Sequence, residues 1–132
     1  MKPGVPAWSV VVVAFRGPHH VLAITRAFNT RDPGLPGGDS EPQDATPADT
    51  ARRELLEETG MTATELRCMD QWTGERGQPV FAFFAPKIRG ARLRASPEGK
   101  PFWTSPKRLM IKTATYRETA ARLFAKLGRM NG

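Results

Sequence analysis

The sequence predicts an α+β fold with a mixed β-sheet and two main helices, and three observations lead there. Residues 5–15 form an apolar run with four consecutive valines, Val10, Val11, Val12 and Val13, whose β-branched character suits a core strand. Thr46 and Gly60 bracket a segment with complete helix start and stop signals. A terminal stretch places Ala120, Leu123, Phe124 and Leu127 on one stripe at helical spacing.

Along the chain, residues 7–16 read as the first strand, Gly17-Pro18 as a turn and residues 20–25 as the second strand of a hairpin. Residues 26–46, with the proline- and glycine-rich stretch 33–38, read as a loop on an unusual backbone path. Thr46 serves as N-cap, Pro47 as first helical residue and Asp49 as its partner in a near capping box, while Gly60 ends the helix. Residues 64–73 and 79–89 alternate or run apolar and read as paired strands. Residues 91–115 read as mostly loop, with a short strand and a helix start at Ser105-Pro106, before the amphipathic helix over 116–127.

The 132 residues, 39% hydrophobic and 25% charged, suit a single domain over 1–132. Cys68 is the lone cysteine, which excludes an internal disulfide and a thiolate zinc site and fits the cytoplasm. The valine run is shorter than the roughly 20 residues a membrane span requires, so no membrane partner is expected. The net charge of +7 is unevenly placed: residues 1–86 hold eight basic and eleven acidic side chains, residues 87–132 twelve basic and two acidic. This polarity suits a polyanionic ligand that needs both cations and a carboxylate-held metal, or equally a basic surface kept for solubility.

Glu54, Glu57 and Glu58 carry the most informative chemistry. At about 100° per residue they fall within roughly 100° of arc on one helix face, where like charges repel unless a cation intervenes. Arg53, four residues before Glu57, supplies part of that charge and is placed to hold the Glu57 carboxylate. Oxygen ligands without His or Cys favour Mg²⁺, with Mn²⁺ as substitute. Taken alone, the hexapeptide is weak evidence for a metal, and a solvated charged face is its plainer reading.

Its neighbours alter that balance. With Leu35-Pro36-Gly37-Gly38 upstream and Thr59-Gly60-Met61 downstream, Arg53-Glu54-Leu55-Leu56-Glu57-Glu58-Thr59-Gly60-Met61 resembles the Nudix hydrolase box, Gly, five residues, Glu, seven residues, Arg-Glu-aliphatic-any-Glu-Glu-any-Gly-aliphatic. The second half fits at every fixed position. In the first half Asp44 stands where the box has Glu, and eight residues rather than seven separate it from Arg53, which leaves its role open. The resemblance implies a Nudix-type α/β/α sandwich and hydrolysis of a nucleoside diphosphate derivative by water attack on phosphorus.

It also implies Glu57 and Glu58 as metal ligands, the Gly38 carbonyl as a backbone ligand, Glu54 as further ligand or water-activating base, and Arg53 as a positioning residue. Glu98, in a loop ahead of the terminal helix, matches the extra glutamate of some relatives, with an ordinary exposed acid as the alternative. Gly37 and Gly38 are expected to adopt torsions closed to other residues and to approach the ions closely. Arg26, Arg31 and Lys100 are candidates for phosphate binding, and Phe28, Trp72, Phe81 and Trp103 for base stacking; exposed cations and core aromatics are the plainer readings. Small size and the Glu98 loop look most like MutT-type enzymes acting on a (d)NTP or oxidised nucleotide. The alternatives are a coenzyme A, nucleotide-sugar or dinucleoside polyphosphate diphosphatase, and a catalytically silent nucleotide- or RNA-binding module. A small-molecule nucleotide is the expected partner, nucleic acid the less favoured one, and oligomeric state stays open.

Overall fold

The computed structural model describes residues 4–26, 29–90 and 92–128. The valine run becomes β1 (Ser9–Arg16), joined through Gly17 to β2 (His20–Arg26), with which it pairs antiparallel. On its other side β1 pairs in parallel with β7 (Pro79–Ala85), which is antiparallel to β6 (Arg67–Thr73). With β3 (Asn29–Gly34) beside β2, the sheet runs β3-β2-β1-β7-β6 and is mixed, as the sequence predicts. In the same sheet β4 (Gly37–Asp39) pairs with β1 and β9 (Pro101–Thr104) with β2, while β5 (Thr62–Ala63) and β8 (Ile88–Arg89) form a small separate ribbon.

Alternation along β1 explains why it is apolar without interruption. Val11, Val13 and Phe15 enter one core with Leu109, Leu123 and Phe124; Val10, Val12 and Ala14 enter another with Ala51 and Leu55. A central strand buried on both faces has no polar side. Helix α1 (Pro47–Thr59) covers the second face, and α2 (Pro106–Lys112) and α3 (Arg117–Leu127) the first, giving an α/β/α sandwich. Leu22, Leu55, Leu123 and Phe124 are fully buried, each worth about 1.5–3 kcal/mol of transfer free energy. Beside the two main helices, α2 starts at the expected Ser105-Pro106 signal, with the Ser105 hydroxyl accepting from Arg108 N–H. No helix among the described residues is long and apolar enough to cross a membrane.

Two expectations need correction. The segment 26–46 contains two strands rather than only a loop. The short β3 lacks apolar alternation and pairs with β2 through a register shift, while β4 pairs Ser9, Val10 and Val11 of β1 over three residues. Gly37 and Gly38 do not have left-handed torsions either; space is what requires glycine. A Cβ on Gly37 would lie 2.3 Å from the Val10 carbonyl oxygen, and one on Gly38 would lie 2.6 Å from the Glu54 carboxyl carbon.

Gly37→Ala must therefore push rigid backbone apart, and overpacking of this kind typically costs 1–3 kcal/mol. Urea unfolding is expected to show a lower midpoint by that amount, with an unchanged slope.

Candidate active site

Helix α1 aims the site. Both halves of the predicted capping box form: Asp49 N–H donates to Thr46 Oγ1 at 3.2 Å and Thr46 N–H to Asp49 Oδ2 at 3.0 Å. Gly60, at φ 78°, closes the other end with its N–H on the Leu56 carbonyl. With Ala51 and Leu55 anchored in the core, the helix turns Glu54 and Glu58 inward toward β4, and they retain only 8% and 5% of their exposure.

These two carboxylates meet Glu98, which reaches them from the loop before β9; one oxygen from each of the three lies within 4.8 Å of the others. Glu58 Oε1 also accepts the Gly37 N–H at 3.1 Å, which ties the helix to β4. Glu57 is different. Its side chain is 55% exposed and pairs with Arg53 Nη1 at 3.2 Å, so it stands beside the cluster rather than in it.

Burial is the largest influence on both inward glutamates and raises their pKa values; hydrogen bonding to Glu54 and repulsion from Glu54 and Glu98 raise Glu58 further. Two buried carboxyl groups in hydrogen-bond contact cannot both be ionised cheaply without a cation. The donors are all oxygens, they converge, and the missing side chain of Gly38 leaves room beside Glu54. That combination fits a hard divalent cation.

Arg53 fixes the geometry from behind. Its Nε and Nη2 donate to Asp44 at 3.2 and 2.8 Å, Nη1 donates to Glu54 at 2.9 Å, and Nη2 also reaches the Asp39 carbonyl at 3.0 Å. The expected contact with Glu57 is present, but Asp44 holds more of the guanidinium. Asp44 is itself 4% exposed in its side chain, accepts from Thr50 Oγ1 at 2.8 Å and Glu41 N–H at 2.9 Å, and has a pKa well below the usual carboxylate range, chiefly through Arg53.

Three hollows run end to end past the cluster. The middle one, about 300 Å³, is lined by Glu58, Glu98, Gly37, Arg26 and Tyr116. One of about 420 Å³ shares Leu35, Gly37 and Tyr116 with it and adds Gly38, Trp72, Arg76, Gln78 and Thr119. The third, about 400 Å³, shares Thr25, Arg26 and Pro97 and contains Lys100. Arg26 therefore lies at the centre, 3.5 Å from Asp32 and over the Tyr116 ring at 5.9 Å. Lys100 is in the outer hollow, Arg31 is exposed and lines none of the three, and Phe28 lies outside the described residues.

Trp103 and Phe81 are absent from this groove, whereas Trp72 belongs to it. Sequence reasoning missed Tyr116, the only tyrosine, whose ring occupies the space a Gly34 side chain would fill. It also missed Asp32, which accepts from the N–H groups of Ala114 and Thr115 and so fixes the approach to α3.

The pKa directions carry a testable sign. Glu54 and Glu58 are raised above the ordinary value of 4.5, so without divalent ions their contribution to stability is complete below that pH and is lost as pH climbs through the raised values. In EDTA, Tm is expected to fall between about pH 5 and 9 for the unaltered chain and to fall less for Glu58→Gln; parallel curves would place the origin elsewhere. Asp44→Ala releases Arg53, and isothermal titration should show Mn²⁺ affinity reduced about 10–100-fold, the usual effect of losing an outer support.

Comparison with known proteins places the fold and the family. Residues 5–127 match the NUDIX domain family. No curated protein matches the chain in sequence. Among solved structures, the MutT protein of Bacillus halodurans is similar at TM-score 0.72 and 21% identity, covering 88% of this chain and 80% of that one. The MutT NUDIX hydrolase of Burkholderia pseudomallei gives 0.71 and 18% over 89% and 96%. The NUDIX domain of Shewanella oneidensis NrtR, solved with ADP ribose, gives 0.72 and 18% over 95% and 94%. At such identities the structural likeness is one of fold, but the family match spans nearly the whole chain: it belongs to the NUDIX domain family and is a hydrolase acting on pyrophosphate bonds.

Proposed function

We propose that the chain is a Mg²⁺-dependent pyrophosphohydrolase of a (d)NTP or oxidised nucleotide, working in the cytoplasm, where Cys68 stays reduced. The observation that carries this reading is the convergence of Glu54, Glu58 and Glu98 at the middle of a three-part groove. Bound divalent ions would neutralise the phosphate oxygens and lower the pKa of a bound water.

The protein's part is to hold and to orient. Glu54 and Glu58 would hold the cation from the helix, with the Gly38 carbonyl as a backbone ligand, and Gly37 N–H fixes one Glu58 oxygen. Glu57, at the exposed margin beside the cluster, would serve as an outer ligand. Glu98, which sits on a loop and is exposed, orients the attacking water and takes its proton. Arg53 keeps Glu54 in place through its bonds to Asp44, and Arg26 faces the phosphates. Water adds to phosphorus, the bridging P–O bond breaks, and the departing phosphate carries away the bridging oxygen. The base then occupies the hollow with Trp72, Gln78 and Thr119. Mn²⁺ is the expected substitute ion.

A second reading, hydrolysis of a linked diphosphate such as a nucleotide sugar, dinucleoside polyphosphate or coenzyme A, is favoured by the third hollow with Lys100, which a simple triphosphate leaves empty. The products decide. With a nucleotide panel and Mg²⁺, a monophosphate plus inorganic pyrophosphate supports the first reading; two fragments each bearing a monophosphate support the second. In either case Glu58→Gln should lose both Mn²⁺ binding and turnover, while Glu98→Gln should lose about 10²–10⁴ in kcat with Mn²⁺ affinity retained. Full turnover by both variants would leave hydrolysis at this site without support.

A further inference from the structure

A further hollow, about 660 Å³, is not part of the groove. Its floor is apolar, built from Met61, Ile88 and Leu93, and it shares no lining residue with the three hollows around Glu58. Arg16, Lys87, Arg89 and Arg92 stand around it, and no acidic residue lines it. All four are exposed, and no carboxylate among the described residues forms an ion pair with any of them.

From this we infer that the cleft is a binding site for single-stranded nucleic acid, separate from the hydrolytic groove and independent of which pyrophosphate the groove accepts.

The arrangement of charge favours a polyanion. Elsewhere in the basic half three cations are used internally: Arg122 and Lys126 pair with Asp70, and Arg117 donates to the Met110 and Thr113 carbonyls at the end of α2. Around the cleft the cations repel one another with no internal acid to offset them. Three of the four are arginines, whose planar forks grip phosphate oxygens two at a time. Shape and aromatic chemistry separate nucleic acid from an acidic peptide. Arg16 lies over the Trp103 ring, 4.5 Å from its centroid, and so places a guanidinium and an indole at the edge of an apolar floor, groups on which unstacked bases pack. Arg94, whose side chain lies against Gly60 at the end of α1, extends the positive surface beyond the cleft, as a ligand longer than one nucleotide requires.

Fluorescence anisotropy with a fluorescein-labelled 12-nucleotide single-stranded RNA of mixed sequence, in EDTA so that nothing is hydrolysed, tests the assignment. Binding should be saturable and weaken with KCl. The double variant Lys87→Ala/Arg89→Ala should bind at least tenfold more weakly, with a salt slope shallower by about 1.4, the value for two phosphate contacts on a single strand. Its turnover of the panel substrate in Mg²⁺ should be unchanged, which also shows that it folds. A control of equal charge, Lys112→Ala/Lys126→Ala on the opposite face of the sheet, should lose less than threefold. The assignment is overturned by absence of saturable binding, by equal loss in both double variants, or by displacement of the RNA as readily by polyglutamate or a mononucleotide as by unlabelled RNA.

Discussion

Two carboxylates one helical turn apart, turned inward rather than to solvent, govern this domain. Burial makes their charged forms costly, so everything around Glu54 and Glu58 is arranged to offset that cost. Gly37 gives its N–H to Glu58, Arg53 gives a guanidinium hydrogen to Glu54, and Gly38 omits the side chain that would collide with the Glu54 carboxyl. Strand β4, only three residues long, exists at the one place where it can pair with β1 and still present both glycines to α1. The opposite face of the helix has the reverse task, and Ala51 and Leu55 meet it in the core. A cation between the carboxylates removes the conflict that the protein part alone only reduces.

The parts of this arrangement governed by local rules were legible in the sequence. The capping box at Thr46 and Asp49, the left-handed Gly60, the doubly buried valine strand and the stripe of α3 each follow from a few neighbouring residues. Less legible were features that depend on long-range approach. Strand β3, Asn-Thr-Arg-Asp-Pro-Gly, carries no strand pattern and forms because β2 lies beside it. Gly37 and Gly38 could be recognised as needed, but the torsional reason was wrong because the crowding atoms come from Val10 and Glu54, 27 and 16 residues away respectively. Helical spacing put three glutamates on one face but could not tell which two turn inward. That follows from where Leu55 is anchored, and it leaves Glu57 at the exposed margin.

Charge shows the same limit. The excess of basic residues after residue 86 suggests that this half supplies cations for phosphates, yet the arginines that line the groove, Arg26 and Arg76, come from the acidic half. Arg76 is further occupied by Asp39, at 2.6 Å, so it shapes the groove mouth as an ion pair. Of the cations after residue 86, Lys100 alone among the described residues lines any of the three hollows, and it lines only the outer one. Net charge by segment records how many cations there are; topology decides what they face.

The departure at Asp44 is resolved by the same kind of reasoning. An aspartate is one methylene shorter than the glutamate of the Nudix box, and here one additional residue lies between it and Arg53. The chain turns through Glu41 to Asp44, with Asp44 N–H on the Glu41 carbonyl and Glu41 N–H on the Asp44 carboxylate, which carries the shorter side chain close to the helix. There it accepts from Nε and Nη2 of Arg53 and from the Thr50 hydroxyl, whose oxygen in turn accepts from the Trp8 indole N–H at 2.8 Å. Placing the carboxylate against Arg53 satisfies the same electrostatic need that a longer side chain would meet with one residue fewer. What this helix requires is an anion behind its arginine, because without one the guanidinium that steadies Glu54 would itself be a half-buried charge lacking its principal partner.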